Sequence, residues 1–551
     1  MITLFTNYFI FLSILYFNGK IFLEFFNDNI KNLNIFEQSI VGLIVTGFIA
    51  QIINFFLPLN NFVIYVNLII IFFYIILNFK KITDLKFLFS YISLSVFFLV
   101  ILSIYGSSFS DDLDHYHYGS IINADTHNLI IGMNSLHHLY GFSSIWLTLH
   151  SYLNFDYSRL QDIHILNGLI LFLFLSFVSF EIMNELKKKE KKIYLPILFF
   201  ILIFVLIKYT RLKEFGIDRS AFLIFFYIIL FYVKHITLDL NKKNTNEFKI
   251  NIFLILSFLC TFLFFIKIIF VFTLILPITV FLLIERKKLI FKNLSTYFLC
   301  LIYIIYFTKN FLISGCLIYP IEPLCFTQLS WYEAESIKSL KLSAEAINKS
   351  FLLYTGNLTQ VEYIKNFYWV KTWFQRNTTE LIEFLSMLSI IFVITILSFK
   401  KTTDLNYNKK ITNLSSLLII FIFSLSLIFL KTPSIRMSHH AFILFFLIII
   451  LRYFNDRVVI VNKKIFFFLI LIAFNFNVSK NLLRIKSSNF INDPIYILKK
   501  SNLYKVAERK KVDNFVYYFG WIGGHPIARA NLDNYNYKKW FIFDIIFKKT
   551  N

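Results

Sequence analysis

Ile250-Asn-Ile-Phe-Leu-Ile-Leu-Ser-Phe-Leu-Cys-Thr-Phe-Leu-Phe-Phe-Ile-Lys267-Ile-Ile-Phe-Val-Phe-Thr-Leu-Ile-Leu-Pro-Ile-Thr-Val-Phe-Leu-Leu-Ile284 is apolar almost throughout and carries a single charge. A helix of about 20 residues crosses the ~30 Å hydrocarbon layer of a bilayer. The stretch is therefore too long for one untilted crossing, and Lys267 divides it into two short ones. A Lys at mid-membrane costs roughly 2.5–3.5 kcal/mol on insertion scales. Lys267 is accordingly expected at the turn between the two spans, facing water or protein.

Similar blocks recur along the chain at 4–22, 39–58, 61–79, 86–106, 162–183, 193–208, 219–238, 293–312, 381–399, 412–430, 439–453 and 464–477. Only helices and closed barrels satisfy their backbone within a bilayer, and unbroken apolar runs argue for helices over alternating barrel strands. Hydrophobic residues make up 58% of the 551, against 45–50% in ordinary soluble domains. The expected fold class is an all-α polytopic membrane protein with about fourteen transmembrane helices. The N-terminus lacks a basic n-region and a small-residue cleavage site, so Met1–Phe26 is expected to contain a retained span.

The connectors alternate in charge. Basic clusters at 80–86, 187–192, 242–249, 286–292, 400–410 and 452–464 all fall on one side of this scheme. By the positive-inside rule that side is cytoplasmic. The opposite, exterior side receives 106–161, 208–218, 314–380, 431–438 and the tail from about Val478. Between Gly106 and Gln161 the only Lys or Arg is Arg159. The expected organisation is a bundle over 1–477 with exterior loops 106–161 and 314–380. A small α/β exterior domain would follow over 478–551, on the strength of a strand-like run at 515–519 and a Gly523-Gly524 turn. The net charge of +23 reflects these topology signals, so nucleic acid is excluded as a partner. Phe, Ile, Lys, Asn and Tyr are the residues AT-rich coding favours, so neither the 72 Phe nor the Lys excess needs a function. Four Cys are too few for a disulfide scaffold, but Cys316 and Cys325 lie nine apart on the side where disulfides persist, so a local bridge and two buried thiols are equal readings.

The stretch richest in chemistry is Ser110-Asp-Asp-Leu-Asp-His-Tyr-His-Tyr-Gly119, where the fourth block ends. Asp111, Asp112, Asp114, His115 and His117 fall within seven residues, and seven of the chain's eleven His lie between 115 and 164. Clustered carboxylates coordinate hard cations through oxygen, and one of them can serve as a general base. Asp112 and Asp114 are the candidate ligands, and a divalent cation, Mg²⁺, Mn²⁺ or Ca²⁺, the candidate cofactor. A solvated helix cap fits the same acidic residues. His115-x-His117 could begin a zinc site, but no Cys or third ligand has zinc spacing. Downstream, Asn134-Ser-Leu-His-His-Leu-Tyr-Gly-Phe-Ser-Ser-Ile-Trp146 is expected as an interfacial helix with Tyr140 and Trp146 at headgroup level. Plain packing onto the bundle is its alternative. Of His137 and His138, at most one should face a site.

This arrangement resembles the GT-C class of membrane glycosyltransferases, which includes the dolichyl- or polyprenyl-phosphate-sugar-dependent mannosyl and aminoarabinose transferases. More narrowly, Asp111-Asp-Leu-Asp, Gly132-Met-Asn-Ser-Leu-His137 and Gly141-Phe-Ser-Ser-Ile-Trp146 are similar to a bacterial family of large multi-pass proteins allied to that class. Typical members carry the acidic loop after the first span. Here it follows the fourth, a departure that three additional N-terminal helices or a different fold would explain. The resemblance implies transfer of a sugar from a polyprenyl-phosphate carrier to an envelope glycan or lipid acceptor, with Asp111 or Asp112 as base. Asp114, His115, His117 and His137 would then bind substrate. Pro433–Arg436 resembles a Pro-x-x-Arg element of the allied family, and Arg436 would hold the donor phosphate, although an anchor at a helix end is an equal reading. Arg211, Lys213 and Arg219, with Glu214 and Asp218, form a second exterior cluster suited to an anionic substrate or to local ion pairs. Trp331, Trp369 and Trp373 are expected as interfacial aromatics rather than sugar platforms. The implied location is a bacterial inner membrane with the acidic loop in the periplasm.

Two other functions stay open. A transporter or flippase for glycans or anionic lipids would bury ionisable residues in mid-span. Glu181 and Lys208 instead lie near span ends. A glycan polymerase or ligase of another membrane fold would rely on Arg436, His439 and His440 and leave the Asp cluster expendable.

Overall fold

The computed structural model describes residues 2–26, 33–78, 90–106, 116–153, 164–188, 193–212, 216–238, 245–402, 414–454, 458–487, 508–519, 526–528 and 532–549. The N-terminal helices are α1 (Ile2–Leu23), α2 (Ile35–Phe56), α3 (Asn61–Asn78) and α4 (Tyr91–Tyr105). The first long loop holds α5 (Tyr118–Thr126) and α6 (Ile145–Tyr152). The middle of the bundle is α7 (Ile165–Lys187), α8 (Tyr194–Lys208), α9 (Ile217–Tyr232), α10 (Asn246–Ile266), α11 (Ile275–Leu282) and α12 (Leu294–Ser314). The second loop carries α13 (Ala334–Asn348) and α14 (Gln360–Lys365), and α15 (Trp369–Ser398), α16 (Leu414–Lys431), α17 (Ile435–Tyr453) and α18 (Lys463–Ser487) follow.

Among the described residues ten helices are long and apolar enough to cross a membrane, and α4, α8 and Ile268–Leu282 are shorter apolar helices. The chain is a multi-pass membrane protein. Helices α7, α9 and α10 are enclosed by their neighbours, whereas α3, α12, α15, α16 and α18 turn Phe62, Phe72, Leu301, Ile390, Phe423 and Phe468 outward. Apolar surface of that extent is stable only against lipid. Between α1 and α2 the backbones touch. A Cβ at Gly42 would fall 1.6 Å from the Leu15 carbonyl oxygen, and one at Gly19 would fall 1.9 Å from that of Gln38. Small residues let helices approach this closely where no hydrophobic force drives them together. Asn18 adds a hydrogen bond to Thr46 Oγ1 at 2.9 Å.

Segments that the charge pattern assigns to one face contact one another. On the basic face, β1 (Phe399–Thr402) pairs antiparallel with β2 (Val458–Val461), tying together two basic connectors. Lys234 there bridges Glu181 at 3.1 Å and Glu37 at 3.4 Å, all three at helix ends. On the opposite face, β3 (Glu508–Val512) and β4 (Phe515–Phe519) form an antiparallel hairpin, and β5 (Ile527–Ala528) runs parallel to β4. A second hairpin joins β6 (Tyr535–Trp540) to β7 (Phe543–Lys548). The described residues of 488–551 are strands and turns, and Gly523 and Gly524 lie outside them. Both hairpins dock on the first loop: Ile131 N–H donates to the Asp544 carbonyl at 2.8 Å, and Ile546 N–H returns a bond to Ile131. Gly132, at φ 74°, makes the approach possible, since a Cβ would meet the Ile546 carbonyl at 2.1 Å.

Three expectations are corrected. The interfacial helix over 134–146 is two 3-10 turns, Met133–Ser135 and His138–Gly141, followed by α6. Trp146 and Tyr140 are buried in protein rather than set at headgroup level. Two hydroxyls at and just beyond its end are satisfied inside the protein: Ser144 Oγ donates to the Ile266 carbonyl at 2.9 Å, and Thr148 accepts from Lys309. Trp369 and Trp373 are likewise buried, Trp369 beneath Lys349 at 5.0 Å and Trp373 donating to the Pro433 carbonyl. Finally, α18 continues ten residues past the expected end at 477, to Ser487. The Cys316–Cys325 bridge is present.

Candidate functional site

The face opposite the basic connectors gathers helix ends from distant parts of the chain. Helix α10 stops at Ile266 because Lys267 adopts extended backbone (φ −154°, ψ 121°) before a 3-10 turn over Ile268–Leu274. The break turns Lys267 toward the first turn of α9, where its ammonium lies 2.5 Å from Asp218 Oδ1. Arg436, in the first turn of α17, approaches the other oxygen, Nε to Oδ2, at 3.1 Å. Three residues widely separated in sequence thus share one carboxylate, whose side chain is 17% exposed against 31% for Lys267 and 55% for Arg436.

Further cations surround this triad. Arg219 is next to Asp218 in sequence and packs over the Tyr209 ring at 6.0 Å. Its guanidinium lies within electrostatic reach of Arg211, Arg436 and Arg484, and its Nη1 is buried without a hydrogen bond among the described residues. Arg484, from the last turn of α18, donates to the Thr210 carbonyl and to Thr210 Oγ1, the latter at 3.2 Å. Lys208 acts electrostatically on Arg219 and on Glu380 and Glu383 of α15. Six cations therefore converge where the described residues offer three carboxylates: Asp218, Glu380 and Glu383. Such an excess repels itself unless an anion joins it, and paired guanidinium groups match the geometry of phosphate.

The acidic run itself, Asp111, Asp112, Asp114 and His115, lies outside the described residues. Its flanks are described. Gly106 packs on Asn481, whose Oδ1 accepts from Arg484 at 3.2 Å. On the other side His117 is buried within electrostatic reach of Asp218. His117 also acts on His150, which burial first, and then the charges of His117 and His164, hold well below the ordinary imidazole range. Asn167 supports the same corner and accepts from Ser220 at 2.9 Å.

The other expected site residues separate clearly. Arg211 is an exposed member of the cation cluster. Lys213 and Glu214 lie outside the described residues. His137 opens a 3-10 turn, its Nδ1 accepting from Leu139 N–H at 3.3 Å, with its ring 4.4 Å from that of His138. His138 is pushed below the usual imidazole range by burial, with Glu333 opposing. His439 stacks on Phe384 at 4.1 Å, and His440 is enclosed by Phe222, Phe225, Phe270 and Phe272 at 5.0–5.6 Å. His440 is walled in by these rings, whereas His439 lies within electrostatic reach of Lys208, Arg219 and Arg436 at the edge of the cation cluster. Among the described residues no three His, Cys, Asp or Glu side chains converge on a metal-sized point. Asp218 is also a poor ligand, since cations already occupy both its oxygens.

Two members of the cluster were unanticipated from the sequence. Arg484 stood in what read as an exterior tail, although Asn477, Asn481 and Arg484 repeat at helical spacing. The pairing of Lys267 with Asp218 has no local signal at all. A small, partly open cavity lies beneath α5, between the first loop and α12, with Lys309 in its wall.

A protein family described as a domain of unknown function (DUF8201) matches residues 1–443. No curated protein and no solved structure matches.

Proposed function

The chain belongs to the DUF8201 family, and from that premise we propose that it is a membrane glycosyltransferase of GT-C type, taking a sugar from a polyprenyl-phosphate carrier to an envelope glycan or lipid acceptor. The observation that carries this reading is the pairing of Lys267 and Arg436 with Asp218 and the gathering of Arg219, Arg211, Arg484 and Lys208 around them, beside both flanks of the acidic run. A cation cluster at a membrane surface suits a lipid-linked phosphate, whose isoprenoid tail remains in the bilayer.

In this reading the bundle makes about fourteen crossings, with its basic face in the cytoplasm and the cation cluster in the periplasm of a bacterial inner membrane. Asp111 or Asp112 takes the proton of an acceptor hydroxyl. The oxygen attacks the anomeric carbon, the bond from that carbon to the phosphate oxygen breaks, and polyprenyl phosphate leaves with the electron pair. Arg436 and Arg219 stabilise the charge that develops on the departing phosphate, as preorganised cations do in phosphate-leaving reactions. Asp218 keeps these cations in place rather than accepting a proton. Asp114, His115 and His117 orient the acceptor. Should Mg²⁺, Mn²⁺ or Ca²⁺ take part, Asp112 and Asp114 would hold it, and it would supply charge neutralisation at the same phosphate.

The test is sugar transfer by purified, reconstituted protein supplied with radiolabelled polyprenyl-phosphate sugars and an envelope lipid extract. Asp111→Asn or Asp112→Asn should lower the rate by about 100-fold or more, the range for loss of a general base. Arg436→Ala should weaken donor binding by about ten-fold. Full transfer after removal of all three aspartates would overturn the assignment.

A further inference from the structure

Helix α15 runs for 30 residues, about 45 Å, which matches a bilayer with its headgroup layers rather than the hydrocarbon alone. A neighbour fixes the height of its first turn. The buried Trp369 ring lies 5.1 Å from that of Phe429, in the last turn of α16 before it ends at Lys431. Phe429 and Leu430 face outward there, so the start of α15 stands where the lipid-facing surface of α16 ends. Around it the second exterior loop presents a set of large apolar side chains. Leu352 is 76% exposed, and Leu353, Val361, Phe367 and Tyr368 are each 55–56% exposed.

The loop that carries them is held firmly to the bundle. Lys349 lies over the Trp369 ring at 5.0 Å and pairs with Glu345 at 2.6 Å, and Glu345 also meets Lys431 at 3.5 Å. Phe351, which opens the 3-10 turn of Leu352 and Leu353, packs on Tyr363 of α14 at 5.2 Å, and Tyr363 donates to the Lys349 carbonyl at 2.9 Å. Phe367 keeps a left-handed backbone, φ 58°, which is unfavourable for a bulky side chain, and still stands outward. Apolar groups so exposed and so fixed need a cover. Two observations say which. The set continues into the outward-facing Phe374 on α15 and Phe429 and Leu430 on α16, and Lys365, Lys371 and Lys431 are exposed around it, where ammonium groups meet lipid phosphates. We propose that the segment from Phe351 to Tyr368 inserts these side chains into the exterior leaflet of the bilayer, so that the partner of this loop is lipid and not another protein. The inference stands whatever reaction the cation cluster serves. It also gives the seated loop a hold on that cluster, since Trp373 donates to the carbonyl of Pro433, three residues before Arg436.

The experiment is fluorescence quenching on the full chain in phosphatidylcholine nanodiscs. Cys260 is buried and Cys316 and Cys325 are bridged, so Cys300→Ser leaves no accessible thiol. In that background Leu352→Cys and Phe367→Cys place an environment-sensitive nitrobenzoxadiazole dye on two separate elements of the loop, which keeps the test readable should one variant fail to fold. Lys341→Cys, on the exposed side of α13, is the control. An interfacial side chain sits about 5–10 Å into the headgroup and acyl boundary, within reach of a nitroxide carried on the lipid. With spin-labelled phosphatidylcholine the dyes at 352 and 367 should lose most of their emission, and aqueous iodide should leave it nearly unchanged. The control should show the reverse. Iodide quenching at 352 and 367 equal to that of the control would overturn the proposal and leave the loop in water. Protection from both quenchers would overturn it in favour of a protein cover. No sugar donor enters the measurement, so failure of the transfer assay and failure here are separate results.

Discussion

If Asp218 is the clamp of the cation cluster, its coupling to Lys267 should greatly exceed its coupling to Arg436. The two contacts are of similar length, 2.5 Å and 3.1 Å. At an effective dielectric of 20 the gross attraction at the shorter distance is about 6–7 kcal/mol. Desolvation returns several kcal/mol per ion, which leaves a net coupling of about 2–3 kcal/mol for the enclosed Asp218–Lys267 pair. Arg436 is 55% exposed, so water and salt screen its contact and the coupling falls to about 0.5–1 kcal/mol. Burial, not distance, separates the two. Double-mutant cycles with Asp218→Asn, Lys267→Met and Arg436→Met, unfolded in mixed dodecylmaltoside–SDS micelles, measure both couplings. Equal couplings, or a Lys267 coupling below about 0.5 kcal/mol, would refute the view that Lys267 is held at the site by Asp218. The single variant Asp218→Asn should also weaken donor binding, because Lys267 and Arg436 would then repel each other.

The charge alternation predicts that Cys introduced at Lys288 and at Lys338 will label with an impermeant maleimide from opposite sides of oriented vesicles, and labelling from one side would break the topology. Asp125, on α5, is pushed up to about 6 by burial. Its folded value exceeds its unfolded one, so the stability it contributes is complete below about pH 4 and is lost as pH rises through about 6. Asp125→Asn should therefore match wild type at pH 4 and be more stable by about 1 kcal/mol at pH 7, after allowance for screening at this partly exposed position; unfolding curves across that range decide it. The Cys316–Cys325 bridge spans a sequence separation of 9. Replacing both Cys by Ser should lower stability by about 2–3 kcal/mol, read from unfolding with and without reductant.

Helices were legible in the sequence wherever lipid contact or burial demanded an unbroken apolar run, and Lys267 was legible as a break because a charge interrupts such a run. The ends of helices were not. Helix α15 begins at Trp369, twelve residues before the expected span, because Lys371, Arg376 and Glu380 lie on a turn beyond the apolar block and carry no hydrophobic signal. The same reasoning hid Arg484. At the site, residue types were readable but partners were not. Asp218, Lys267 and Arg436 were each singled out separately, since nothing in a linear chain relates positions 49 and 218 residues beyond Asp218 except the packing of α9, α10 and α17. Lys309 passed as part of an apolar span, although a lone Lys near the end of such a span is itself a signal. The polar stretch around Trp146 misled in the opposite sense, because Ser144 and Thr148 are satisfied inside the protein rather than by headgroups.

The docking of β5 and β7 on the first loop bears on how the protein is made. Asn123 accepts from Ile527, and Asn128 donates to the Ile542 carbonyl, so contacts 404 and 414 residues apart close over the loop that leads to the cluster. A ribosome adds about 5–20 residues per second, so that loop waits tens of seconds after its own synthesis before its cover has been translated. During that interval the first loop lacks its β-strand partners, and a ribosome stalled anywhere before Ile527 leaves a bundle whose Asn123 and Asn128 have neither contact.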